Sequence, residues 1–176
     1  PMVFTCNQRH DGRGTFWKDL MTYAREARDD GHILRPVVAP RPIGVMLGLN
    51  GSQNPFSGTP TYRSIEHLPL DQRVEAMSQP NIRSKILSED PVKQSTFPLI
   101  HRILFTQMFR LGSPANYTPS PEESISAMAQ NAGVTPQEMA YDILLEDLGR
   151  GFIYAPLVNY ANYTMDACAE MLDDPY

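Results

Sequence analysis

The sequence predicts an α/β fold, and three observations predict it. An apolar run rich in β-branched residues, Ile33 to Val38, follows the turn residues Asp30-Gly31-His32 and reads as a strand buried on both faces. An earlier run, Val3-Phe4-Thr5-Cys6, reads as a second strand. Residues 16–29 between them carry helical spacing. Strand, helix and strand within roughly 45 residues make a βαβ unit, so the two strands should be parallel and joined by a right-handed crossover.

Each element has its own justification. The first strand is placed at Met2 to Gln8. Thr15 is the N-cap expected for a helix from Phe16 to Asp29, with Phe16, Leu20, Tyr23, Ala24 and Ala27 on its inner face and Gly31 just past its end. Pro40 and Pro42 stop the second strand, because neither can donate a ladder hydrogen bond. The stretch from Gly48 to Arg63 is loop by composition. Leu70 to Ser78 and Asn81 to Ser88 pair Val74 with Met77 and Ile82 with Ile86, which predicts two short helices separated by Pro80. Pro98 to Leu111 is apolar and fits helix or strand, and Ser113 to Pro121 is a proline-rich loop. Two capping boxes follow: Ser120-Pro-Glu-Glu123 opens a helix ending at Gly133, and Thr135-Pro-Gln-Glu138 opens one ending near Gly149. Gly151 to Leu157 reads as extended, and Thr164 as the cap of a last helix ending at Leu172.

Composition narrows the function classes. Net charge is −5, from 20 acidic and 15 basic residues in alternation, so there is no basic block to displace counterions from a nucleic acid. No run approaches the ~18 apolar residues that a membrane span needs. Neither a nucleic acid nor a membrane is therefore expected as a partner. Two cysteines, Cys6 and Cys168, make no disulfide framework and predict reduced thiols in a cytoplasmic protein. Proline is abundant, at 16 residues, which predicts long ordered loops. Residue 1 is proline, the chain is in a strand by residue 3, and it stops just past a helix. That reads as a segment of a larger catalytic domain.

Candidate chemistry concentrates at strand ends. Arg41 sits between Pro40 and Pro42, so its backbone is forced extended and its side chain leaves the strand end in a fixed direction. A guanidinium held this way suits an anionic substrate group such as a carboxylate. Cys6 and Gln8 lie at the end of the first strand, where α/β folds place their sites. For Cys6 the competing reading is a small core residue. The four histidines, His10, His32, His67 and His101, are scattered and form no local metal pair. Gly44-x-x-x-Gly48-x-x-Gly51 lacks the Lys-Ser/Thr of a phosphate loop. Asn159-Tyr160-Ala161-Asn162-Tyr163 reads as a loop packed by its aromatics.

Several segments carry a family likeness. Pro36-Val-Val-Ala-Pro-Arg-Pro-Ile-Gly44, Asn54-Pro-Phe56, Pro60-Thr-Tyr-Arg63, Phe109-Arg-Leu-Gly112, Asn116-Tyr117, Ala140-Tyr-Asp-Ile-Leu-Leu145 and Leu157-Val-Asn-Tyr160 resemble the D-aminoacylase-like branch (N-acyl-D-amino-acid deacylases) of the amidohydrolase superfamily. The likeness is collinear over the chain. It implies an α/β fold that is part of a (β/α)8 barrel, residues 1–47 giving a βαβ segment, 48–119 an insertion of loops and short helices, and 120–176 helices returning to the barrel. It also implies hydrolysis of a C–N amide bond in an N-acyl-amino-acid-like small molecule by water activated on a divalent metal, zinc above all. Two departures stand out. Where relatives end the strand in a Ser-His ligand motif, this chain has Thr5-Cys6-Asn7-Gln8. Where relatives read Asp-x-Tyr-Pro-Tyr, it has Ala39-Pro-Arg41-Pro42-Ile43.

The resemblance thus places Cys6, Gln8 and Arg41 at a substrate site and assigns no metal ligand and no catalytic residue within the chain. The strands should need the rest of a parent polypeptide, or another subunit, to bury them, and homo-oligomer formation is compatible with that. Alone, the chain is expected to release no amino acid. The rival reading is a non-catalytic binding or assembly protein that keeps the barrel without the metal.

Overall fold

The structure, a computed structural model, describes residues 1–10, 14–91 and 103–175. The chain divides into two compact units. Unit 1 comprises Pro1–Val45 and Pro156–Tyr176, and unit 2 comprises Met46–Ala155.

Unit 1 contains the βαβ unit that the sequence predicts. Strand β1 (Met2–Thr5) pairs in parallel with β2 (Leu34–Val37), in a register running from Met2 opposite Leu34 to Thr5 opposite Val37. Helix α1 (Phe16–Asp29) connects them and packs on β2. It stops where Gly31 takes a positive φ of 84°, a conformation without Cβ strain only for glycine. Thr15 precedes α1 as expected, but its side chain makes no capping bond. The buried stripe of α1 is Trp17, Met21 and Ala24, whereas Phe16 and Tyr23 are exposed. The inner face is therefore turned by about one residue from the expected one.

Because successive strand residues point to opposite faces, Phe4 and Cys6 of the β1 segment and Val38 beyond β2 look toward α1. There they join Trp17, Met21, Ala167 and Met171 in one apolar cluster. Ala167 and Met171 come from the last helix, Asp166–Leu172. The opposite face is open. Val3 is 63 % exposed, Ile33 53 % and Val37 52 %, so the strands are not buried on both faces among the described residues.

The barrel does not stand. Among the described residues β1 and β2 pair only with each other, and the other strands form a separate sheet of three. That sheet takes β3 (Ile43–Gly48), β4 (Phe109–Leu111) and β5 (Phe152–Val158) in the order β3-β5-β4, with β4 antiparallel to β5. A closed parallel barrel needs about eight parallel strands in one continuous sheet. Two small sheets, one of them carrying an antiparallel pair, do not provide it.

Unit 2 is mostly helical. It holds α2 (Pro60–Ile65), α3 (Leu70–Met77), α4 (Pro80–Ser88), α5 (Ile125–Ala132) and α6 (Pro136–Gly149). The asparagine and proline of Gly48–Arg63 hide both the last residue of β3 and the start of α2, which Thr59 caps by accepting from the Tyr62 N–H. The first capping box closes a single 3-10 turn, Pro121–Glu123, and α5 restarts on Ser124, whose hydroxyl accepts from the Ala127 N–H. The second opens α6 as expected. Tyr141 of α6 donates its hydroxyl proton to the Met77 carbonyl at 2.9 Å and sets its ring edge-on to Phe56. Burial pushes that phenol up to about 12. Helix α6 ends in non-helical backbone at Glu146, Asp147 and Leu148, and Gly151 follows so close to Ile143 that a Cβ there would collide with the Ile143 carbonyl. The final helix, α7 (Asp166–Leu172), belongs to unit 1 and begins after Met165, so Thr164 is not its cap. Most of the ambiguous stretch Pro98–Leu111 lies outside the described residues; its end forms a 3-10 turn at Phe105–Gln107 and β4.

Candidate functional site

The polar centre of unit 1 lies just past the C-terminal ends of the two parallel strands. Asn159 organises it. The residue is fully buried and adopts a left-handed backbone with φ 62°, which asparagine tolerates better than other side chains with a Cβ. Its Oδ1 accepts from the Gln8 N–H at 2.9 Å, and its Nδ2 donates to Asn7 Oδ1 at 3.1 Å and to the Ala39 carbonyl at 3.0 Å. Its own N–H donates to the Gln8 carbonyl at 2.8 Å. One carboxamide thus ties the chain leaving β1 to the chain leaving β2.

The loop after Asn159 completes the arrangement. The Ala161 N–H donates to Gln8 Oε1 at 3.1 Å, and the Tyr160 N–H donates to His10 Nε2 at 3.2 Å. Asn162 and Tyr163 are also left-handed, with φ 60° and 59°, and the rings of Tyr160 and Tyr163 meet edge to face. A left-handed tyrosine is strained, and such strain persists only where surrounding contacts over-determine it. The expectation of a loop packed by aromatics is met, and the loop also carries the polar ties.

The three sequence-predicted residues are placed differently. Gln8 is half-buried, and with its Oε1 engaged by Ala161 the amide is oriented, leaving the Nε2 hydrogens for a carbonyl oxygen. Arg41 is exposed after β2. Cys6 is fully buried in the apolar cluster, 3.8 Å from the Trp17 carbonyl and 3.6 Å from Met171 Sδ. Burial pushes its thiol up, away from the reactive thiolate, and does the same to Cys168, whose Sγ donates to the Ala39 carbonyl at 3.1 Å. The strand ends therefore bring Gln8 together with Asn7, His10 and Asn159, while Cys6 faces the core.

Of the histidines, His10 serves the loop, His32 and His67 are exposed, and His101 lies outside the described residues. Among the described residues no three His, Cys, Asp or Glu side chains are grouped to hold a metal ion. The described residues thus offer no ligand set of their own for the zinc that the resemblance implies. No helix among them is long and apolar enough to cross a membrane. No family model matches the chain, and no curated protein and no solved structure is similar to it.

Proposed function

We propose that this chain forms part of the substrate site of a hydrolase that cleaves the C–N amide bond of an N-acyl-amino-acid-like small molecule. One observation carries the reading. Two of the segments that resemble the deacylases, Pro36–Gly44 and Leu157–Tyr160, meet the end of β1 at the Asn159 carboxamide, far apart in sequence though they are. Gln8 then donates from Nε2 to the scissile carbonyl oxygen, held in place by the Ala161 N–H. Arg41 takes the substrate carboxylate through its guanidinium fork. Activation of the attacking water is assigned to groups other than the described residues. The buried free thiols of Cys6 and Cys168 support a cytoplasmic, reducing location.

The test uses the protein as its own cells make it. Incubated with a panel of N-acetyl amino acids of both hands, with and without added zinc, it should release free amino acid. Gln8→Leu should lower turnover about a hundredfold or more, in the range of a lost carbonyl-polarising donor. Arg41→Lys should raise KM more than an Arg63→Lys control. Release by no substrate under any condition overturns the hydrolase. Saturable binding without release moves the same residues to a non-catalytic binding role.

A further inference from the structure

A second polar centre lies in unit 2, and it stands apart from the reading above. A cavity of about 280 Å³ is lined by the turn after β3, by Asn54 and Ser57, by Tyr62 and Glu66 at α2, and by Arg73 of α3. Arg73 is the unusual member. Its Nη1 donates to the Leu49 carbonyl at 2.7 Å and reaches the Tyr62 hydroxyl at 3.4 Å, and its Nη2 donates to the Leu68 carbonyl at 2.8 Å. All three acceptors are neutral. Its Nε–H is buried without a hydrogen-bond partner, and Nη2 keeps a second hydrogen. No carboxylate among the described residues pairs with it.

A guanidinium fixed by two carbonyls is preorganised, but its charge is uncompensated and one donor is unsatisfied. The Nε–H is closed off from solvent, so the donor open to an occupant is the second Nη2 hydrogen, where a carboxylate would also meet the guanidinium charge. Glu66, which lines the same cavity, is exposed and forms no ion pair with Arg73. It would repel a simple anion. A ligand that satisfies both groups carries a carboxylate for Arg73 and an ammonium for Glu66.

We infer that this cavity binds a small zwitterion, with its carboxylate on Arg73 and its ammonium on Glu66. Tyr62, Ser52 and Ser57 supply the hydroxyls that complete a polar wall.

Glycine is the probe, with acetate and methylammonium as the single-charge controls. In nitrogen–proton correlation spectra at pH 7, glycine should saturably move the Arg73 Nε–H signal together with the amides of Gly51 and Ser52. Acetate should bind about tenfold more weakly, one charge-assisted contact being lost, and methylammonium should leave the Arg73 signal in place. Glu66→Gln should bring glycine down to the level of acetate. Arg73→Lys should abolish the effect; where that variant melts early, the Glu66→Gln comparison decides, since Glu66 is exposed and has no structural tie. Absence of any glycine-dependent shift shows that water alone satisfies Arg73 and overturns the proposal. Equal binding of glycine and acetate, or binding indifferent to Glu66→Gln, does so as well.

Discussion

At Asn159 one side chain holds three backbone or side-chain partners at once, and its left-handed backbone is what aims the carboxamide between the two strand ends. Asn159→Ala would leave the Gln8 N–H and the Ala39 carbonyl without their partner and place an alanine where φ is positive. Each net hydrogen bond is worth about 1 kcal/mol and the left-handed conformation costs a further ~1 kcal/mol, so the loss should be about 2–4 kcal/mol in urea unfolding. Asn159→Gly keeps the backbone conformation and should lose less. Ala and Gly variants of equal stability, both near the native value, would show that the carboxamide carries no such weight. The sequence made Gln8 and Arg41 visible because a strand end is a local pattern. The role of Asn159 depends on contacts 151 residues away, which no local pattern announces.

Among the helices, α6 shows how far local chemistry reaches. The Thr135 hydroxyl accepts from the Glu138 N–H at 3.2 Å, and the Glu138 carboxylate accepts from the Thr135 N–H at 2.8 Å. Thr135→Ala should destabilise by about 1 kcal/mol, read from the thermal or urea midpoint. The bond from the Thr135 backbone, and then that from its hydroxyl, hold the Glu138 carboxyl below its ordinary value of 4.5. A depressed folded value means that this contribution is present above pH 4.5 and fades as pH falls through the folded value. The stability gap between the native protein and Glu138→Gln should therefore narrow on acidification; a gap constant from pH 7 to pH 3 would rule the linkage out. Capping boxes were legible because four adjacent residues decide them. The α1 stripe was harder: Trp17 and Met21 won the core over Phe16 and Tyr23 because that face meets Cys6 and Met171, a tertiary preference, while Leu20 packs at its margin. Thr164 failed as a cap because the helix starts one residue later than it would there, at Asp166, with Met165 in the cap position.

For the chain as a whole, the open face of β1 and β2 is the feature that the barrel expectation obscured. β-Branched runs read the same whether one face or two are covered, so the sequence could show two parallel strands without showing how many neighbours they have. As the structure has it, Val37→Lys and Val3→Lys change exposed positions. Each should alter unfolding free energy by no more than about 0.5 kcal/mol and should reduce the binding of an apolar dye to the protein. A loss of more than about 2 kcal/mol would mean that the face is covered in solution. The edges matter too: among the described residues β1 and β2 have no strand neighbour but each other, and such edges invite pairing with other chains.

Unit 1 is assembled from both ends of the chain, with all of Met46–Ala155 between its two parts. Ribosomes add about 5–20 residues per second, so the Asn159 that closes the end of β1 is made on the order of ten seconds or more after Gln8. For that interval the nascent β1, α1 and β2 exist without α7 over the cluster and without the carboxamide between the strand ends, while Met46–Ala155 already has all of its sequence to fold with. The order of birth therefore sets the order of completion: the unit begun first is the one finished last.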